Sequence, residues 1–533
     1  MKKDSGKNDY KKILPVLILV SVGLFFAWPL LGARFIPTHD GEYHIIRFLE
    51  FFRMLSAGYF FPRWAPTLNS GYGLPLFNFQ YPFPNYPGSL FLALGLGAPN
   101  AFQVTLAVGY LFSGLASYFW LKSLFGGKAA LAGALLGITV PYWFVDLFVR
   151  GSVGEIWAFG FVFAALWSIE MKKTYLAALS LGLLLVSHNI LALIFLPFLL
   201  GYFLIRGGKL PWFAVWGVLL SAYFWVPALA EKSFVTGLNP VNFREHFAML
   251  SDLLIPSWGT GFSGVGSSGN RMSFQIGIVP LFIYLLAFVF FIRKRFRKNK
   301  GLTGFFLAAL IISLLLTLPV SRFVWDLVWP LALIQYPWRF LSFGVIATPF
   351  LFSDLVFSSK WQKLFWVVPV IGIFTVFQYT RPVTYEPRDS AYYLGRPNFT
   401  DGTNSLGNIF STVWTPWISE RAYSLIQPAD NLKFQVLEDR YLYKRIRFEL
   451  AAEQKVTAAV LYFPGWQVSV NGRKAVIDYS GGKISFIAPA GESEVVIRYT
   501  GTTIQKIAEA VSLITLVLVI AGIIIKDSYA NRH

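Results

Sequence analysis

The feature that most constrains this chain is the length of its uncharged apolar runs. Residues 14–31 read LPVLILVSVGLFFAWPLL without one ionisable side chain. A run of that length fits a helix across a bilayer, because lipid offers an unpaired backbone N–H or C=O no other partner. Similar runs place spans near 13–33, 101–121, 129–145, 155–170, 174–188, 190–205, 211–228, 275–292, 302–319, 340–356, 362–378 and 505–525. The expected fold is therefore a polytopic α-helical membrane protein of about 12 transmembrane helices. Composition agrees: 55% of the 533 residues are hydrophobic and 14% charged, against about a quarter charged in soluble domains.

The net charge of +19 would suggest a nucleic-acid partner in a soluble protein. Here the cations gather in alternate inter-span segments, at 2–12, 122–128, 172–173, 206–209, 293–300, 360–363 and 526–532. That is the positive-inside pattern, so the charge reports topology and argues for no nucleic acid. It places both termini in the cytoplasm, in a bacterial inner membrane, with the first run as an uncleaved anchor. The chain has no cysteine, so an outer domain must hold together by packing rather than by disulfides.

Outside lie the segments 34–100, 229–274, 320–339 and 379–504, with a short link at 146–154. This divides the chain into a transmembrane domain over 1–378, an extracytoplasmic mixed or β-rich domain over 379–504, a final helix over 505–525 and a cytoplasmic tail over 526–533. Apolar alternation in RIRFEL, VTAAVLYF, WQVSV, KISFIA and EVVIRY predicts an antiparallel sheet over 434–500. Asn471 and Gly472 suit a tight hairpin turn within it. Segment 34–100 is rich in Pro and aromatics, with a short re-entrant helix expected at 88–96. The Gly- and Ser-rich stretch 259–270 reads as a flexible loop over a site.

Ionisable groups beside a span are costly to keep near lipid and so mark functional candidates. The densest group follows the first span, in THDGEYHIIR: on a helix, Asp40, His44 and Arg47 share one face. The carboxylate can take a proton from a hydroxyl or bind a metal, and the cation can meet a phosphate. A purely structural reading makes Asp40 a helix cap. A second group, Asp146, Arg150 and Glu155 in DLFVRGSVGE, falls on the same outer side, where Asp146 and Arg150 can simply pair. His188 and Asn189 lie between two spans, as a substrate contact or a helix-end pair. Arg339, in QYPWRF, sits where an arginine holds a lipid phosphate or anchors the interface. Glu231, Lys232, Glu245 and His246 are weaker signals. Nucleotide-binding glycine loops, HExxH and structural-zinc spacings are all missing from the sequence.

Taken in order, THDGEYHIIR, DLFVRGSVGE, SHN at 187–189, QYPWRFL at 335–341 and YFPGWQVSVNGR at 462–473 resemble the YfhO-like bacterial membrane proteins. They also resemble the group labelled "6-pyruvoyl-tetrahydropterin synthase related". Both groups look like members of the GT-C class of integral-membrane glycosyltransferases. The resemblance implies a GT-C-like fold and transfer of a sugar from a polyprenyl-phosphate-linked donor to an envelope acceptor at the outer face, with inversion. It implies that Asp40 is the general base or positions the acceptor, with Glu155 a second catalytic carboxylate. His44, Arg47, Asp146, Arg150, His188, Asn189 and Arg339 then contact substrate, and membrane lipids are partners. Some of the class use a divalent metal, for which Asp40, His44 and Glu155 offer ligand types. Two other functions fit a chain of this kind. A transporter or flippase of lipid-linked glycans would carry its polar groups midway through paired spans. A non-catalytic envelope-assembly scaffold would depend on the sheet domain and not on Asp40.

Overall fold

The computed structural model describes residues 5–32, 34–237, 241–264, 269–296, 298–360, 363–395, 410–415, 422–427 and 432–527. The chain is a polytopic helical membrane protein with an extracytoplasmic β-rich domain. Among the described residues, six helices are long and apolar enough to cross a bilayer: Ile13–Leu31, Ala98–Phe125, Val153–Glu170, Lys300–Thr317, Pro337–Ser358 and Thr503–Lys526. Two bent pairs raise the number to eight at most: Gly127–Gly137 with Pro141–Arg150, and Trp212–Leu220 with Ala222–Ala230. The other four expected spans are shorter apolar helices, Thr174–Ser187, Asn189–Ile205, Ile278–Ile292 and Val367–Thr380. Of the about 12 expected spans, six to eight meet this length and composition among the described residues. A 14-residue helix such as Thr174–Ser187 rises only about 21 Å, short of the ~30 Å hydrocarbon core.

Prolines explain how both bent pairs survive in an apolar setting. Pro141 has no N–H to give Gly137, four residues earlier. The freed Gly137 carbonyl instead accepts the indole N–H of Trp143 at 3.1 Å, and the Ile138 carbonyl accepts the Tyr110 hydroxyl at 2.6 Å. The axes turn by 46° at this break. In the second pair, bent by 67°, Pro227 frees the Tyr223 carbonyl, and Arg63 donates to it at 2.6 Å. Irregular backbone at membrane depth is tolerated where the protein itself supplies partners.

The β-rich domain is a pair of antiparallel sheets. Strands β1 (Ile426–Gln427), β4 (Gln454–Leu461) and β7 (Lys483–Ala488) form one, in the order β1-β4-β7. Strands β2 (Phe434–Arg440), β3 (Tyr443–Leu450), β5 (Trp466–Val470), β6 (Arg473–Ala475) and β8 (Gly491–Tyr499) form the other, in the order β2-β3-β8-β5-β6. The alternating stretches of the sequence fall in β3, β4, β5, β7 and β8. Asn471 and Gly472 make the β5–β6 turn with φ of 49° and 76°, the double left-handed geometry of a two-residue hairpin. Part of 379–504 lies outside the described residues.

This domain is not merely tethered by the spans on either side. Its core joins Ile446, Phe448, Phe486 and Ile497 to Met54, Trp64 and Tyr72 of the first outer segment, and Trp64 meets Trp466 edge-on at 5.6 Å. Within that outer segment a helix forms at Asn85–Ala93, overlapping the expected one at 88–96. A buried polar knot joins the same parts. Glu231, 1% exposed, accepts from Asn78 (2.8 Å), Thr502 (2.5 Å) and Gln505 (2.9 Å). Asn78 bonds Arg63 at 3.3 Å, and Arg63 reaches Glu509 on the last helix at 2.9 Å. Thr502 and Gln505 also close a reciprocal cap on that helix. Replacing Glu231 with Ala removes the acceptor of two buried amides and of the half-buried Thr502 hydroxyl and is expected to cost about 2–4 kcal/mol, read as a lowered Tm in detergent. Retained wild-type Tm would show that the knot contributes little.

Candidate functional site

The site begins at the break after Pro141. The helix there ends in a wide π turn, Asp146–Arg150, closed by Gly151 at φ 66°. The Val149 and Arg150 carbonyls accept the backbone N–H of His39 and Asp40, each at 2.9 Å. The first outer segment is thereby stitched to the link that the sequence placed on the same outer side. Thr38 lies between Gly41 and Gly151 so closely that a Cβ on either glycine would collide with its hydroxyl. At Gly151 the positive φ adds a second reason for glycine.

Asp40 precedes the helix Gly41–Ser56, but its side chain makes no cap hydrogen bond. It lines a cavity of about 490 Å³ together with His44 and Arg47, one and two turns further on. Arg150, His188, Asn189 and Arg339 line the same cavity. Seven expected site residues, from four separated segments, thus converge on one space.

Glu155 and Asp146 stand behind this wall, both fully buried. Arg150 forks between them, 2.5 Å from Asp146 and 2.7 Å from Glu155. Glu155 also accepts the Tyr142 hydroxyl at 2.8 Å, and lies 3.6 Å from Arg339 Nε and 3.7 Å from His188 Nε2. His188 Nδ1 accepts the Leu191 N–H at 3.1 Å at the start of the helix Asn189–Ile205. That bond places the imidazole proton on Nε2, toward Glu155. Arg339 follows Gln335, held at φ 69°, in a short 3₁₀ turn Pro337–Leu341. One of its amino groups donates to the Ile334 carbonyl (2.7 Å) and to Gln335 (2.9 Å), while its Nε–H has no hydrogen-bond acceptor among the described residues.

Aromatic groups line the cavity as well: Tyr336 and Trp338 belong to the QYPWRF run, and Tyr81 was not singled out in the sequence. Tyr336 and Trp338 stack at 5.3 Å, Arg150 lies over Trp338 at 4.7 Å and Arg339 over Tyr336 at 4.8 Å. Tyr81 packs against His188 at 5.2 Å, and burial pushes its hydroxyl up to about 12. It comes from a stretch of prolines and aromatics with no spacing to single it out. His39 bonds the Thr260 carbonyl at 2.7 Å and stacks on Phe262 at 4.7 Å. The expected loop 259–270 therefore borders the cavity through 260–263, while 265–268 lie outside the described residues. His246, a weaker sequence signal, supports this edge from behind, bonding Ser263 at 2.8 Å and meeting Tyr336 edge-on. Glu231 belongs instead to the polar knot.

Electrostatically, the cavity surface carries Arg47, Arg150 and Arg339 against one carboxylate, Asp40. Burial holds His44 well below the usual imidazole range, helped by Arg47 and His188. Burial also lowers His39, although its Thr260 bond and Asp40 pull the other way. Both rings are neutral at pH 7. Among the described residues no three His, Asp or Glu side chains are grouped to hold a metal; Glu155, one of the three ligand types offered by the sequence, is already engaged by Arg150 and Tyr142. The arrangement can bind an anionic group and accept a proton beside it.

No protein-family model matches the chain, and no curated protein matches it. Among solved structures it is similar to the mycobacterial arabinofuranosyltransferase AftD, at 15% identity over 70% of this chain and 27% of that one, with a TM-score of 0.44. It is also similar to the Archaeoglobus fulgidus oligosaccharyltransferase in the apo form, at 13% identity over 70% and 55%, with a TM-score of 0.40. The same protein tethered to an acceptor peptide gives a TM-score of 0.37. The chain thus spans from about a quarter to just over half the length of these structures.

The histidines carry a pH prediction. In the unfolded chain they take up protons below about pH 6.5, which the folded rings of His39 and His44 resist. Folding stability is fully present above that pH and is lost as pH falls toward the folded values. Thermal unfolding in detergent from pH 7.5 to 5 should show this loss, and His44→Gln should flatten it. A variant with the wild-type slope would exclude His44 as a source.

Proposed function

We propose that this protein is a membrane-embedded glycosyltransferase of the GT-C kind, taking a sugar from a polyprenyl-phosphate-linked donor at the outer membrane face. The carrying observation is the cavity that unites Asp40 with Arg47, Arg150 and Arg339 beside the outer ends of the spanning helices. A polyprenyl phosphate is tied to the membrane and leaves as an anion, so it needs cations at such a boundary more than it needs an acid. Arg339 lines the cavity while its Nε faces Glu155 at 3.6 Å, so its guanidinium is a cation held in place for that anion. Tyr336 and Trp338 present apolar faces to a sugar ring, with polar groups nearby to orient it.

In this reading Asp40 takes the proton of the acceptor hydroxyl as its oxygen attacks the anomeric carbon. The new C–O bond forms on the face opposite the breaking C1–O–phosphate bond, so configuration inverts. The bonding pair leaves with the phosphate, whose charge Arg47 and Arg339 meet. Glu155 acts as a positioning residue, holding Arg150 and facing Arg339 and His188, and Asp146 holds the other arm of Arg150. His44 supplies a neutral polar contact, and His188 and Asn189 complete the wall toward substrate. Both termini lie in the cytoplasm of a bacterial inner membrane, and the acceptor is an envelope molecule.

Purified protein in lipid, given radiolabelled sugars on polyprenyl phosphate and an acceptor panel, tests the reading. Wild type should transfer sugar, and Asp40→Asn should lose at least about 100-fold in kcat, the usual worth of a general base. The His188–Leu191 cap and the Tm should be unchanged in the variant. Equal transfer by both proteins would remove Asp40 from the role, and no transfer by wild type from any donor would overturn the enzyme reading.

A further inference from the structure

A second cavity, of about 690 Å³, opens between the β5–β6 hairpin, the segment after β6 and the first turn of the last helix. Strand register fixes its level. Trp466, which begins β5, pairs with Tyr499 at the end of β8, and the last helix starts at Thr503. From the turn at Asn471 and Gly472, β6 runs back toward that level, with Ala475 opposite Val468. Val476 and Ile477 therefore come down beside the entrance to the span Thr503–Lys526. Val476 is 89% exposed, an apolar side chain held out beside the first turn of the last helix.

The polar lining is cationic. Lys474 and Lys506 both border the cavity, and neither enters an ion pair among the described residues, whereas nearby Lys455 is bridged to Asp478. Trp466 borders it too, is 4% exposed, and its indole N–H has no acceptor among the described residues. The N-terminal turn of the helix adds its own partial positive charge. Unpaired lysines over an exposed apolar residue at a span entrance suit a ligand that is anionic at one end and oily at the other. A free phosphate would gain nothing from Val476.

We propose that this cavity binds the phosphate headgroup of an anionic membrane lipid in the outer leaflet, with Lys474 and Lys506 on the phosphate and Val476 and Ile477 against the lipid's apolar portion. The site is separate from the Asp40 cavity and does not depend on the reading of that cavity. Bound where the β-domain meets the start of the last helix, such a lipid fixes the height of the domain above the membrane.

The full-length protein in nanodiscs of phosphatidylcholine with graded phosphatidylglycerol, moved into detergent and weighed by native mass spectrometry, gives the test. Wild type should retain phosphatidylglycerol in preference to phosphatidylcholine. The double variant Lys474→Gln, Lys506→Gln should weaken retention about tenfold or more, from the contribution of two lysines near a charged surface, and the paired Lys→Arg variant should keep it. Val476→Asp, on an exposed side chain, should weaken retention with both lysines intact. Equal retention of the two lipids, or wild-type retention by the Gln variant, would overturn the proposal. Displacement of the lipid by millimolar inorganic phosphate, with Val476→Asp silent, would overturn it in favour of a soluble anion.

Discussion

Everything around the cavity depends on one expensive group, the fully buried carboxylate of Glu155 at the start of the spanning helix Val153–Glu170. A carboxylate there is tolerable only if cations and donors surround it. Arg150 and Tyr142 do so directly, with Arg339 and His188 just beyond hydrogen-bond distance. Those four come from three parts of the chain, so compensating one charge draws together the bent pair, the helix junction at His188 and the 3₁₀ turn at Pro337–Leu341.

The bent pair is what makes this possible. A straight helix through 127–150 would carry Arg150 onward along one axis. The break at Pro141, with its carbonyls taken over by Trp143 and Tyr110, and the π turn at Asp146–Arg150 set the guanidinium between two carboxylates and present two backbone carbonyls upward. The amides of His39 and Asp40 bond those carbonyls. Asp40 is therefore positioned by backbone contacts on both sides of its own residue, which leaves its side chain out of the capping role and on the cavity wall.

How much of this was legible in sequence varies with the kind of signal. Helix positions, strands β3, β4, β5, β7 and β8 and the turn at Asn471 follow from periodicity and local chemistry, which are properties of short segments. The junction at His188 between Thr174–Ser187 and Asn189–Ile205 was legible too, within a residue or two; whether helices that short each cross a bilayer is not a property of the apolar run itself. Ionisable residues at outer helix ends stood out because lipid makes them costly, and that physical argument is indifferent to tertiary detail. It did not separate Glu155, behind the wall, from Asp40, on it. Tyr336 and Trp338 stood out only as part of the QYPWRF run, and Tyr81 escaped notice, because aromatics are abundant at membrane interfaces and one of them carries little weight until a neighbour is known.

The distribution of charge between the wall and what lies behind it has a consequence for any ligand. Counting Asp146 and Glu155, the three arginines face three carboxylates, so the protein need not hold a large net charge in a place of low dielectric. At the cavity surface the balance is different: three guanidinium groups and one carboxylate. Coulomb interactions fall with distance and are weakened further by the intervening Arg150. An entering anion therefore meets the cations first, while the carboxylates behind keep them fixed in place. A transporter's site would instead have to release its cargo to both sides. Here Arg150 is held by Asp146 and Glu155 and lies over Trp338, and Arg339 is held by the Ile334 carbonyl and lies over Tyr336, so both guanidinium groups are oriented before an anion arrives.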